Sequence, residues 1–100
     1  MPKGFWIASV DVTDPEGYKA YQAANAEAFH KFGARFLTRG GKSEGVEGKL
    51  RSRVVVIEFP SYDAALNCYR SAEYEKARKL RQGKSSADIA VVEGYDGPQP

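Results

Sequence analysis

The chain has 100 residues, of which 42% are hydrophobic and 28% charged, and its formal net charge is +2. That length holds one domain and not two, the balance is that of an ordinary globular fold, and no basic block of the kind that marks a nucleic-acid tail is present. A single cysteine, Cys68, excludes an intrachain disulfide and a cysteine-based metal cluster.

Phe5 to Val12 is rich in β-branched and aromatic residues and reads as a first strand. It is apolar on both faces, which predicts a central place in its sheet. The run is too short for a signal peptide's core and cleavage site, and no stretch reaches transmembrane length, so the expected setting is the soluble, reducing cytoplasm. Thr13-Asp-Pro-Glu16 supplies a helix start: Thr13 or Asp14 can accept free amide protons, and Pro15 suits the first turn. Tyr18, Tyr21, Asn25, Ala28, Phe29 and Phe32 follow at helical spacing as one stripe, with Glu27 and Lys31 as a weak pair beside it. Gly33 ends the helix, where a left-handed residue is commonly required.

Ala34 to Arg39 reads as a second strand, broken or bulged at Gly40-Gly41. Lys42 to Ser52 is polar, carries Gly45 and Gly48, and reads as a long, partly extended hairpin arm. Arg53 to Phe59 is the third strand, and its Val/Ile run again predicts a central position. Pro60 stops the ladder and Ser61 caps a helix with Tyr62, Ala65, Leu66 and Tyr69 on its inner stripe. Ser71 starts a further helix with Tyr74, Ala77 and Leu80 on the buried side. Gly83 to Ser86 is a loop, Ala87 to Glu93 the last strand, and residues 94–100 a tail.

The order is β-α-β-β-α-(α)-β, the split pattern of α+β ferredoxin-like folds, and residues 1–100 are read as one such domain. A four-stranded antiparallel sheet then carries helices on one face. The other face also needs cover, because strands one and three are apolar on both sides. No spare element exists, so a second copy is expected to supply it in a symmetric homodimer.

The chain resembles the family called domain of unknown function 1330, within the dimeric α/β-barrel superfamily. The resemblance rests on Val10-Asp-Val-Thr-Asp-Pro15, on Tyr18 with Tyr21, and on Phe32-Gly-Ala-Arg-Phe-Leu-Thr-Arg-Gly-Gly41. It continues through Val55-Val-Ile-Glu-Phe-Pro-Ser61, Tyr69-Arg-Ser-Ala-Glu-Tyr74 and Val91-Val-Glu-Gly-Tyr95. It implies the fold and dimerisation and brings no reaction. Relatives in the wider superfamily place ligands between sheet and helices or inside the barrel, which is an analogy of fold.

Five residues are candidates for binding a ligand: Trp6, Asn25, His30, Arg39 and Glu58. His30 is the only histidine, and reads either as a base or ligand or, more simply, as a surface cation at a helix end. Asn25 interrupts an apolar stripe, so its amide must face a cavity, a backbone group or a water. Arg39 and Glu58 lie on neighbouring strands. Alternation puts Arg39 on the face of Leu37 and Glu58 on that of Val56, so both are expected to point inward, as an anion site with an orienting carboxylate or as a register-fixing ion pair. Trp6 belongs with Tyr18, Tyr21, Tyr62, Tyr69 and Tyr74 as core or as pocket wall. Cys68 reads as helix packing. Lys76 to Lys84 is a solvated basic helix, and the third strand lacks the stacking aromatics that an RNA-binding module of this topology needs. No metal-ligand cluster and no cofactor motif occurs, so any reaction would use carboxylate or histidine acid–base work or the substrate's own reactivity. Two functions follow: a homodimer that binds a small organic molecule in a cavity, with or without transforming it, or a non-catalytic dimeric interaction module.

Overall fold

The structure is a computed structural model and describes residues 2–100. Strand β1 (Gly4–Val12) is followed by helix α1 (Pro15–Lys31), β2 (Arg35–Arg39), β3 (Arg53–Phe59), α2 (Tyr62–Arg70), α3 (Ala72–Lys79) and β4 (Ser85–Glu93). The sheet order is β2-β3-β1-β4 with every neighbour antiparallel. β1 and β3 are therefore the central strands, as their two-sided apolar character requires.

Local chemistry sets the boundaries. Asp14 is the N-cap of α1 and accepts from the Gly17 amide at 3.1 Å, with Pro15 in the first turn. Ser61 and Ser71 cap α2 and α3 in the same way, accepting from the amides of Ala64 and Tyr74. Gly33 leaves α1 with φ of 74°.

The three helices pack on one face. Trp6, Ala8 and Val10 of β1 and Val55, Ile57 and Phe59 of β3 meet Tyr18, Tyr21, Ala28 and Phe29 of α1, and Ala65, Cys68, Tyr74 and Ala77 of α2 and α3. The alternation of burial along β1 and β3 is the period of two expected of strands. Trp6 is the centre of this core. Its ring lies 4.9 Å from Tyr74 and 5.2 Å from Phe29, both edge-on, and its indole N–H donates to the Ala65 carbonyl at 2.7 Å.

The opposite face carries Phe5 and Ile7 of β1, Val54 and Val56 of β3, and Ala90 and Val92 of β4, with Ile7 set between Val56 and Ala90. Among the described residues no element covers it: Ile7 is 41% and Val92 44% exposed.

Four details differ from the sequence-based reading. The arm between β2 and β3 contains no strand; its base is tied down instead, with the Arg51 amide donating to Ser9 Oγ and the Ser52 amide to Asp11. Lys31 does not pair with Glu27 but reaches Glu73 on α3 at 2.7 Å, linking the two helices. Leu80 is 44% exposed, and the position two turns beyond Tyr74 on the buried side belongs to Arg81. The irregularity of β2 lies at Leu37, where the register shifts between Phe36 and Thr38, ahead of the glycines.

Candidate functional site

A cavity of about 50 Å³ lies between the sheet and the helices, under the middle of α1. Its floor is apolar: Trp6, Phe29, Phe36 and Ile57. Its amide and guanidinium groups come from three directions, Gln22 and Asn25 from α1, Arg39 and Arg53 from the sheet, and Arg81 from the turn after α3.

Arg39 reaches the cavity because of the bulge. Phe36 pairs with Ile57 and Arg39 with Val55, both of which face the helices, and the extra residue Leu37 restores that phase. The Arg39 guanidinium stacks on Phe36 with its carbon 4.0 Å from the ring centre. Regular alternation from Leu37 would have reached the opposite conclusion about which neighbours Arg39 keeps. Arg53 opens β3 opposite Val10 and shares the inward face of Val55, Ile57 and Phe59. Its Nε is buried and has no hydrogen-bond partner. Gly40, at φ of 75°, makes room for it: a Cβ there would fall on the Arg53 guanidinium.

Asn25 is 5% exposed, and its Oδ1 also lacks a partner. Tyr21 and Tyr74 share a hydrogen bond of 2.8 Å between their hydroxyls. Burial, and then each other's proximity, pushes the Tyr21 phenol well above its usual range; burial alone is the main cause for Tyr74 and for Tyr18. The Arg81 guanidinium sits 5.5 Å from the Tyr21 ring centre. The phenols are therefore neutral donors and acceptors at ordinary pH, and none is a base.

The sequence-predicted candidates separate. Trp6, Asn25 and Arg39 all line the cavity, Trp6 with its ring only because its N–H is engaged by Ala65. Glu58 does not: it shares the open face with Val54 and Val56 and pairs with Lys3 at 3.2 Å. The expectation of an inward Arg39–Glu58 pair is thus corrected, because the bulge puts the two side chains on opposite faces. His30 is exposed in the last turn of α1 and does not line the cavity. Of the other tyrosines, Tyr62 and Tyr69 lie outside it, while Tyr18, Tyr21 and Tyr74 form its wall. Arg53 and Arg81 were not foreseen. Both had a signal: Arg53 is in phase with Val55 and Ile57 on its strand, and Arg81 is seven residues, two helical turns, from Tyr74.

Among the described residues no group of three or more His, Cys, Asp or Glu side chains is placed to hold a metal ion. Cys68 is buried on α2 with its Sγ 3.8 Å from the Ala28 carbonyl, and burial pushes its thiol up to about 12.

Fold and cavity together define the class, a ferredoxin-like α+β sheet-and-helix protein with a pocket between its two layers. The chain belongs to the DUF1330 family, a domain of unknown function, whose model matches residues 3–95. No curated protein matches the chain. The fold is shared with RPA0582 of Rhodopseudomonas palustris, a protein of unknown function, at a TM-score of 0.75 and 18% identity over 96% of this chain and 85% of that one. It is also shared with SnoaB of Streptomyces nogalater, described as a cofactor-independent oxygenase, at a TM-score of 0.62 and 12% identity over 100% and 97% of the chains. A dimeric protein of unknown function and ferredoxin-like fold from Bacteroides fragilis gives a TM-score of 0.52 and 15% identity over 91% and 95%. At these identities the likeness is one of fold.

Proposed function

We propose that the protein is a homodimer that binds a small organic molecule in the cavity between its sheet and helices, with Trp6, Asn25 and Arg39 among the groups that contact it. The observation that carries this reading is the Asn25 amide oxygen, buried at the cavity wall without a partner. A buried polar atom left unpaired costs about 1–3 kcal/mol, and a ligand that fills the cavity would remove that cost. The open sheet face supports the dimer: Phe5, Ile7, Val54, Val56 and Val92 form an apolar surface that a second sheet would cover. Pairing through that face leaves the cavity, on the other side of the sheet, accessible. The Bacteroides fragilis relative in fold is described as dimeric, which agrees. A reducing, cytoplasmic setting suits the lone free thiol of Cys68.

Acid–base work by His30 or Glu58 has no part in this reading, since neither side chain reaches the cavity. Any transformation would draw on the ligand's own reactivity, with the protein supplying position and electrostatic stabilisation. The void itself favours binding over a purely structural module, whose core would be filled. Native mass spectrometry of protein purified from its own host tests the proposal. A dimer with a reproducible added small mass is the expected result. A monomer would overturn the dimer, and a fragment screen in which nothing alters the emission of Trp6, the only tryptophan, would overturn the binding site.

A further inference from the structure

We propose that the ligand is an organic carboxylate whose anionic head group lies among Arg39, Arg53 and Arg81. The inference rests on the reading of the cavity as a binding site and names the chemistry that the cavity selects.

Charge is the first argument. The cavity wall holds three guanidiniums and no carboxylate. None of the three takes part in an ion pair among the described residues. Arg51 gives the contrast. Only two positions before Arg53, it lies on the opposite side of the sheet and is held by both Asp11 at 3.1 Å and Asp88 at 3.0 Å. Acids are thus supplied to an arginine on one face and withheld from its neighbour on the other. The tyrosine hydroxyls beside Arg81 are neutral phenols, so Tyr74 offers it a hydrogen-bond acceptor but no countercharge.

Desolvation is the second argument. A partly buried cation without a counter-ion is costly unless an anion joins it. Arg53 is the sharpest case, with its Nε out of contact with water and without an acceptor. Guanidinium groups match a planar, two-oxygen anion better than a point charge, since their paired N–H groups reach both oxygens at once. The Asn25 amide oxygen, buried and unpaired on the facing helix, adds a neutral hydrogen-bonding group to the same space.

Size is the third. About 50 Å³ is near a third of the roughly 150 Å³ that encloses a benzene molecule. The enclosed space therefore takes a carboxylate head of a few heavy atoms, with the rest of the ligand extending past the exposed Arg39–Phe36 stack at the rim.

The test titrates the intact protein with benzoate, with benzamide as its neutral isostere, and with inorganic phosphate. Trp6 emission reports occupancy of the cavity, and the arginine Nε–H resonances report the head group. The expected result is saturable benzoate binding, with benzamide and phosphate weaker by about tenfold or more, the size of a charge-assisted hydrogen-bonded contact. Arg39→Met, at an exposed position, should weaken benzoate about tenfold and benzamide less, so that the preference for the anion shrinks; Arg53→Gln should do the same, with its fold checked by circular dichroism. Equal binding of benzoate and benzamide, or binding of phosphate alone, would overturn the carboxylate assignment while the binding site stands. Failure of all three probes together with a panel of neutral fragments would remove the binding site itself.

Discussion

Replacement of Asn25 by leucine separates ligand binding from stability. Asn25 is 5% exposed and its Oδ1 has no partner, so the wild-type fold carries the cost of a desolvated, unpaired acceptor. That cost is about 1–3 kcal/mol. Leucine removes it, adds apolar surface to the stripe of Tyr18, Tyr21 and Phe29, and has the adjacent cavity of about 50 Å³ into which its branch can extend. Crowding against the floor would return part of the gain. The expected net effect is stabilisation by about 1–2 kcal/mol, or roughly 5–15 °C in Tm for a domain of this size. The assay is thermal and urea denaturation of both proteins at one fixed concentration, since a dimer's apparent stability depends on concentration. The same variant should lose most of its affinity for a cavity ligand. A fall in Tm of several degrees would refute the reasoning, because it would mean that Asn25 is a satisfied structural amide.

Other perturbations address other parts of the structure. Ile7→Lys places a charge at the middle of the open sheet face, between Val56 and Ala90, and should give a folded monomer by light scattering with unchanged far-ultraviolet circular dichroism. The buried Cys68 thiol, with its pKa pushed up to about 12, should resist Ellman's reagent at pH 8 and react only as fast as the protein opens, so rapid labelling of native protein would contradict its packing against Ala28. Tyr18, Tyr21 and Tyr74 have folded-state pKa values raised above the unfolded value, so their contribution to stability is complete below pH 10 and is lost as pH rises beyond it. A titration of phenolate absorbance should therefore show Tyr18, Tyr21 and Tyr74 ionising only with alkaline unfolding.

Much of the architecture is local and was legible in the residues. Serine and aspartate caps, Pro15, Pro60 and Gly33 mark element ends wherever the chain goes, because their effects act within a turn. The two-sided apolar character of β1 and β3 placed them at the centre of the sheet, and the stripe of α1 was read nearly residue by residue. Asn25 was legible as a cavity candidate because it interrupts the apolar stripe of α1, and Trp6 as one of the aromatics that read as core or pocket wall. Arg39 was singled out, but on a face assignment that Leu37 overturns. A bulge is a property of the pairing between β2 and β3, and nothing within β2 alone announces it. Glu58 then lies across the sheet from Arg39, and His30 lies outside the pocket. Which charges share a cavity, and which of them lack a partner, is decided only when separate elements converge. Arg53, Arg81 and Asn25 are far apart in sequence, and it is the packing of α1 and of the turn after α3 over one face of the sheet that brings them together and leaves no acid among them.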